Sequence, residues 1–266
     1  RVWFEGSPGI PAQLPDHAAL GLALIALHDF APDHSSGNRW LAHAKASADV
    51  IRNSFGTVED GYRMTQTPDG ISGYIQVDDV EIPSGNAMAL ALFARLTKRL
   101  QAPLIEQDGF RLAAALSGLA INIPAQRGSA LKAIQELQTG ETGRVRFAGS
   151  GAVRAAMTQT FDKITVDLTI ADGWHVNAHD PLEDYLIATD LTVHGQLAHP
   201  IDYPAPTIKS LSFSDAPLAL YEGDLRLEAH VSPGAVHQID LTLQACSDRV
   251  CLQPETLTFV LWPPVQ

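Results

Sequence analysis

The sequence predicts an α plus β protein of two domains: a helical half, then an antiparallel β-sandwich. Three observations carry that expectation. Up to about residue 138, apolar residues recur at three- and four-residue spacing, the period of a helix face. Beyond about residue 160 they alternate with polar ones, the period of a half-buried strand. Between the two regimes, residues 139–151 turn rich in Gly, Ser, Thr and Arg, a linker or a crossing strand by composition. The boundary is therefore set between residues 140 and 141, giving domains 1–140 and 141–266, each long enough for its own core.

In the helical half, Leu14-Pro-Asp-His17 opens the first helix, with Pro and Asp where first-turn residues are favoured. Leu20, Leu22, Leu24, Ile25 and Leu27 make it apolar nearly all round, which predicts burial on more than one side. A second helix is expected over residues 39–55, with Trp40, Ala44, Ala48 and Ile51 on one face. Residues 56–79 read as a long connection with short extended pieces at most. Ser84 then serves as N-cap of a third helix, on which Met88, Leu92 and Leu96 stack at i, i+4 spacing. Two more helices follow, over about residues 103–120 and 124–138.

In the second half, alternating runs at 164–170, 186–193, 225–231, 239–243 and 256–261, broken by Pro and Gly, predict the short strands of a sandwich. Charge divides the same way. Residues 1–138 carry 11 Lys/Arg against 14 Asp/Glu, and residues 139–266 carry 7 against 16, so the sandwich is the acidic half. The overall charge of −12 argues against a nucleic-acid partner, whose phosphates require clustered Lys and Arg. The longest near-continuous apolar run, residues 18–27, is half of the ~20 residues that a membrane-spanning helix needs. Arg1-Val-Trp-Phe reads as an internal start, so the chain is expected to begin inside a longer protein. Trp3, Trp40, Trp174 and Trp262 are read as core or edge aromatics.

Chemistry concentrates at Leu243-Gln-Ala-Cys-Ser-Asp-Arg-Val-Cys-Leu-Gln-Pro254, which holds the only two cysteines, Cys246 and Cys251. Strand-like runs flank them, so both sulfurs fall near one end of a hairpin, within reach of a bridge. Such a bridge closes a very short loop and stabilises by only about 2 kcal/mol, which favours exchange chemistry over a structural staple. A small structural disulfide and two buried free thiols are the competing readings. His175 and His179 are four apart on a strand-to-loop segment, which does not give them the shared face a metal needs; no metal or cofactor is expected.

Gly173-Trp-His-Val-Asn-Ala178, Tyr185-Leu-Ile, Tyr221-Glu-Gly223 and Gln244-Ala-Cys-Ser-Asp-Arg-Val-Cys251 resemble, in order and spacing, the periplasmic N-terminal domain of the thiol:disulfide interchange protein DsbD, an immunoglobulin-like sandwich. The resemblance covers roughly residues 150–264. It implies that the cysteine pair takes electrons from a thioredoxin-like domain, with mixed disulfides forming at Cys251. It also implies an aromatic cap over the pair, placed by position at Tyr221 with Glu222 beside it, and with Tyr185 as a weaker candidate. The pair here has one residue fewer between the cysteines than the best-known members.

In the helical half, Leu14-Pro-Asp-His-Ala-Ala-Leu, Gly61-Tyr-Arg-Met-Thr and Asp78-Asp-Val-Glu-Ile-Pro-Ser-Gly-Asn-Ala87 resemble the C-terminal part of YyaL and spermatogenesis-associated thioredoxin-domain proteins. That family joins a thioredoxin-like domain to an α/α toroid, so a partial toroid of about five helices is implied, with no Cys-x-x-Cys of its own. Asp78, Asp79, Glu81 and Asn86 would then line a sugar pocket, although acidic residues before a helix are also favoured by the helix dipole alone. A partial toroid leaves Leu20, Leu24 and Leu27 uncovered. They would be shielded by a homodimer mate, the sandwich, or the missing N-terminal part of the toroid.

Three functions follow. The first is a thiol–disulfide relay through Cys246 and Cys251 with a thioredoxin-like partner, in the periplasm by resemblance. The second is a carbohydrate-binding or sugar-isomerising toroid with a supporting sandwich. The third is a non-catalytic interaction module with a structural disulfide.

Overall fold

The computed structural model describes residues 3–4, 6–31, 34–66, 73–211, 216–232, 236 and 238–261, with backbone only for residues 3, 4, 8 and 34–36. Trp262 therefore lies outside the described residues, as does the Trp3 side chain. The chain splits into two compact units, Arg1–Glu141 and Thr142–Gln266.

The first unit opens with a two-residue antiparallel pair, β1 (Trp3–Phe4) and β2 (Ser7–Pro8). Five helices follow: α1 (Leu14–Asp29), α2 (His34–Ser54), α3 (Gly85–Arg99), α4 (Pro103–Asn122) and α5 (Gly128–Thr139). A 3-10 turn at Pro124–Gln126 separates the last two. Central among them is α3, which touches each of the other four. Its sequence explains this, since Ala87, Leu90, Leu92, Phe93, Ala94 and Leu96 point round the helix and all are buried. The Ser84 hydroxyl caps it by accepting from the Ala87 amide at 3.2 Å. Against it, α1 packs so closely that a Cβ on Gly21 would lie 2.6 Å from Leu92 Cδ2.

Two expectations for this unit are corrected. First, α1 is not covered on several sides: Leu24 and Ile25 are buried, while Leu20 and Leu27 are half exposed, at 53% and 50%. Leu24 therefore leaves the set of uncovered residues. Second, α2 starts at His34, one turn and more before the expected residue 39.

The second unit is built from antiparallel strands in three sheets. These strands are β3 (Val145–Ala148), β4 (Val153–Gln159), β5 (Lys163–Ile170), β6 (Trp174–Asn177), β7 (Asp190–His194), β8 (Thr207–Lys209), β9 (Leu218–Tyr221), β10 (Asp224–His230), β11 (Gln238–Leu243), β12 (Ala245–Ser247) and β13 (Glu255–Val260). The sheet orders are β10-β5-β4-β3, β13-β11-β7 and β12-β6-β9-β8. Alternate residues from all three, including Met157, Val166, Leu168, Val176, Ala219, Leu241 and Phe259, pool into one core. The segment read as linker or crossing strand contains β3, paired to β4. The strand expected over 186–193 begins only at Asp190, because the Ile187 carbonyl is taken by the Asn177 side chain instead of a ladder.

Candidate redox site

β11 and β13 pair from Gln238↔Val260 to Leu243↔Glu255, so the cysteines lie in their connection, as a hairpin reading requires. That connection does more than turn. Ala245–Ser247 leaves the β11 sheet and pairs with β6 in another, with Cys246 directly opposite His175. The chain then reverses: Ser247 N donates to the Val250 carbonyl at 2.8 Å and Leu252 N to the Ala245 carbonyl at 2.9 Å. The Ser247 hydroxyl accepts from the amides of Arg249 and Val250, which holds the four-residue tip closed.

Cys246 and Cys251 face each other between those two hydrogen-bonded pairs. They thus occupy the non-hydrogen-bonded position of an antiparallel ladder, where opposed Cα atoms come closest. Here the Cα atoms are 4.0 Å apart and the sulfurs are joined. The two ends differ in access. Cys246 is 3% exposed, whereas Cys251 lies open to solvent. In the tip, the Asp248 and Arg249 side chains are mostly in water, 3.8 Å apart, and such an exposed pair contributes little.

The register assigns the other candidates to faces. Val176 opposes both Ala245 and Tyr221, so these three share the face that enters the core. Cys246, one residue on from Ala245, points to the other face. Tyr221 therefore does not lie over the bridge, contrary to its placement as the cap. It is buried in the core, and its hydroxyl accepts from the His179 amide at 3.4 Å. Burial pushes the Tyr221 hydroxyl pKa up. Tyr185 is 74% exposed and no contact brings it to the cysteines. Glu222, just past β9, alternates to the Cys246 face, where it is ion-paired with Lys209.

Sequence spacing marks His175 only as a potential metal ligand, whereas the register sets it opposite Cys246. It is 5% exposed. Burial lowers its pKa, against an upward pull from Glu222. The signal was present in Trp174-His-Val-Asn177, whose alternation sets His175 and Asn177 on one face. Among the described residues no group of His, Cys, Asp and Glu is arranged to hold a metal ion.

In the helical unit, two of the four proposed pocket residues, Asp79 and Asn86, bond the protein's own backbone, Asp78 pairs with an arginine side chain, and Glu81 faces solvent. Asp79 accepts from Ser84 N at 2.9 Å and from Ser129 N at 2.8 Å, so one carboxylate serves the starts of α3 and α5. Asp78 receives the Arg127 Nε at 2.6 Å. Asn86, fully buried, exchanges two hydrogen bonds with the Tyr62 backbone and donates to the Gln76 carbonyl. Glu81 is exposed. An open apolar groove of about 590 Å³ runs along α1 and α2, lined by Ala23, Ala26, Leu27, Phe30, Ala31 and Trp40, and includes none of those four.

Residues 148–263 match the family described as Thiol:disulfide interchange protein DsbD, N-terminal. No curated protein matches the chain. Among solved structures, the Neisseria meningitidis DsbD N-terminal domain in the reduced form is 16% identical over 43% of this chain and 88% of that one, with a TM-score of 0.34. The same domain in complex with the PilB N-terminal domain is 15% identical over 45% and 94%, again with a TM-score of 0.34. The N-terminal periplasmic domain of ScsB from Proteus mirabilis is 17% identical over 41% and 45%, with a TM-score of 0.29. The cysteine bridge thus falls inside the stretch that matches the DsbD N-terminal family.

Proposed function

We propose that the second unit is a thiol–disulfide exchange module of immunoglobulin-like fold. In it, Cys251 is the sulfur attacked by a partner and Cys246 the sulfur released and later returned. The observation that carries this reading is the unequal burial of one short-range bridge at a hairpin tip: Cys251 is open to an attacking thiolate while Cys246 stays sheltered. The family match over residues 148–263 supports it independently. The partner is a thioredoxin-like domain or protein, and the compartment is the periplasm, where such bridges persist. Among the described residues no helix is long and apolar enough to cross a membrane. The helical unit is read as part of an α/α toroid, on the resemblance of residues 78–87.

The test is to mix the Cys246→Ser protein with a thioredoxin and look for a covalent adduct. Capture at Cys251, released by reductant, is the expected result. No adduct, together with a bridge potential below about −300 mV, would mark a resistant structural disulfide and end the reading.

A further inference from the structure

Cys246 stands directly across from His175 in the β12–β6 pair, so the two side chains leave the sheet on the same face. Cβ atoms of opposed residues lie about 4.5–5.5 Å apart, which puts an imidazole within reach of the sulfur. Both residues are buried, at 3% and 5% exposure, so water is scarce where a Cys246 thiolate would form. An isolated charge there is costly unless a donor meets it. We propose that His175 is that group: a positioning residue that hydrogen-bonds the Cys246 thiolate when the bridge opens and takes the Cys246 proton when it closes. This rests on the exchange reading above and adds to it the residue that governs the sheltered sulfur.

The electron count runs through a protein dithiol as reductant. Its thiolate forms a bond to Cys251 Sγ, the Cys251–Cys246 bond breaks, and the electron pair leaves on Cys246. The neutral His175 ring donates its N–H to that thiolate, which then takes up a proton from solvent. The partner's second thiol attacks its own sulfur in the mixed disulfide, which releases Cys251 as a thiolate and the partner as a disulfide. In the reverse direction Cys246 Sγ–H gives its proton to the bare ring nitrogen of His175, and the thiolate attacks Cys251 Sγ of the mixed disulfide, which re-forms the Cys246–Cys251 bond, breaks the bond from Cys251 to the partner and releases the partner's sulfur as a thiolate. The charged groups that act on His175 are Glu222, just past β9, and Lys209 of β8, which are paired with each other. Asp248 and Arg249 lie out at the solvated tip. Burial keeps the ring neutral near pH 7, the form with one donor and one acceptor that both directions need.

The test uses the full chain with Cys251→Ser, which leaves Cys246 as the only thiol. Its alkylation rate by iodoacetamide is followed against pH, with and without His175→Phe, which removes the N–H donor. The expected result is a thiol titration about one unit higher in the Phe variant, hence about tenfold less thiolate at neutral pH. A folded Phe variant with an unchanged thiol titration would overturn the proposal. If that variant does not fold, NMR titration of the His175 ring in the unmutated protein decides. A ring pKa that differs between the oxidised and reduced forms supports the role, and one identical in both overturns it. Neither measurement involves a partner protein, so either can fail while thioredoxin capture at Cys251 succeeds.

Discussion

Arg99 closes on Asp29 through two parallel hydrogen bonds, Nε to Oδ1 at 2.7 Å and Nη2 to Oδ2 at 2.6 Å, joining the end of α3 to the end of α1. Its Nη1 reaches Glu141 at 2.6 Å, and the whole side chain is buried. Replacing Arg99 by Met would leave two carboxylates facing a dry site. A loss of about 3–5 kcal/mol is expected, measured as the urea midpoint of the helical unit. Arg99→Lys should recover little, because an ammonium cannot reproduce the two-pronged fork. Full recovery by Lys would mean that charge alone holds the site.

The same pair sets a pH dependence. Burial alone would raise the Asp29 pKa, but hydrogen bonds from His28 and Arg99 outweigh it and hold the carboxyl below its ordinary value. A group depressed in the folded state stabilises at pH above its unfolded pKa of about 3.9, and that contribution is lost as pH falls through the folded value. Stability of the helical unit should therefore drop below about pH 4, and the drop should be shallower in Arg99→Met. Parallel acid profiles for the two proteins would remove Asp29 as the cause.

Asp79 acts as a double cap, and each amide it accepts is one of the unpaired donors at a helix start. Asp79→Ala should cost about 2 kcal/mol, roughly twice a single cap, whereas Ser84→Ala should cost about 1 kcal/mol. Thermal unfolding of the two variants side by side checks the ratio. Equal losses would show that only the α3 end matters.

Gly149 sits at φ +60°, and a Cβ there would lie 2.8 Å from the Ala245 Cβ, next to Cys246. Gly149→Ala should cost about 1–3 kcal/mol through backbone strain and crowding. It should also alter the rate at which dithiothreitol reduces the bridge, since β12 has to shift. A variant with unchanged stability and unchanged reduction rate would show that the loop gives way freely.

Tyr221→Phe removes a hydroxyl that accepts from His179 on the core side of its sheet. The expected cost is about 0.5–1.5 kcal/mol of stability, with no change in the rate of bridge reduction by a small dithiol. A faster reduction would put the ring over the sulfurs after all.

What the sequence revealed and what it hid divide along physical lines. Ser84 as a cap and the nearness of Cys246 to Cys251 depend on a few adjacent residues, so spacing alone disclosed them. Leu20, Leu24 and Leu27 are the same residue on one helix, yet only Leu24 is buried; the packing of α2 and α3 decides that, and no local pattern encodes it. Position in the chain alone puts Tyr221 over the bridge. Its face is set by register with Val176, a pairing about 45 residues distant, and a shift of one residue reverses the answer. Asp78, Asp79 and Asn86 have the composition of a ligand site, but their atoms meet amides, carbonyls and Arg127 of this chain, partners visible only once the helices are assembled.

On the exchange reading, the unequal burial of Cys246 and Cys251 would make the bridge regioselective. An attacker arriving from outside would meet one electrophile, and the other sulfur would serve as its leaving group. A bulky maleimide offered to the freshly reduced protein should accordingly tag Cys251 first, and one round of mass spectrometry would display that order of labelling.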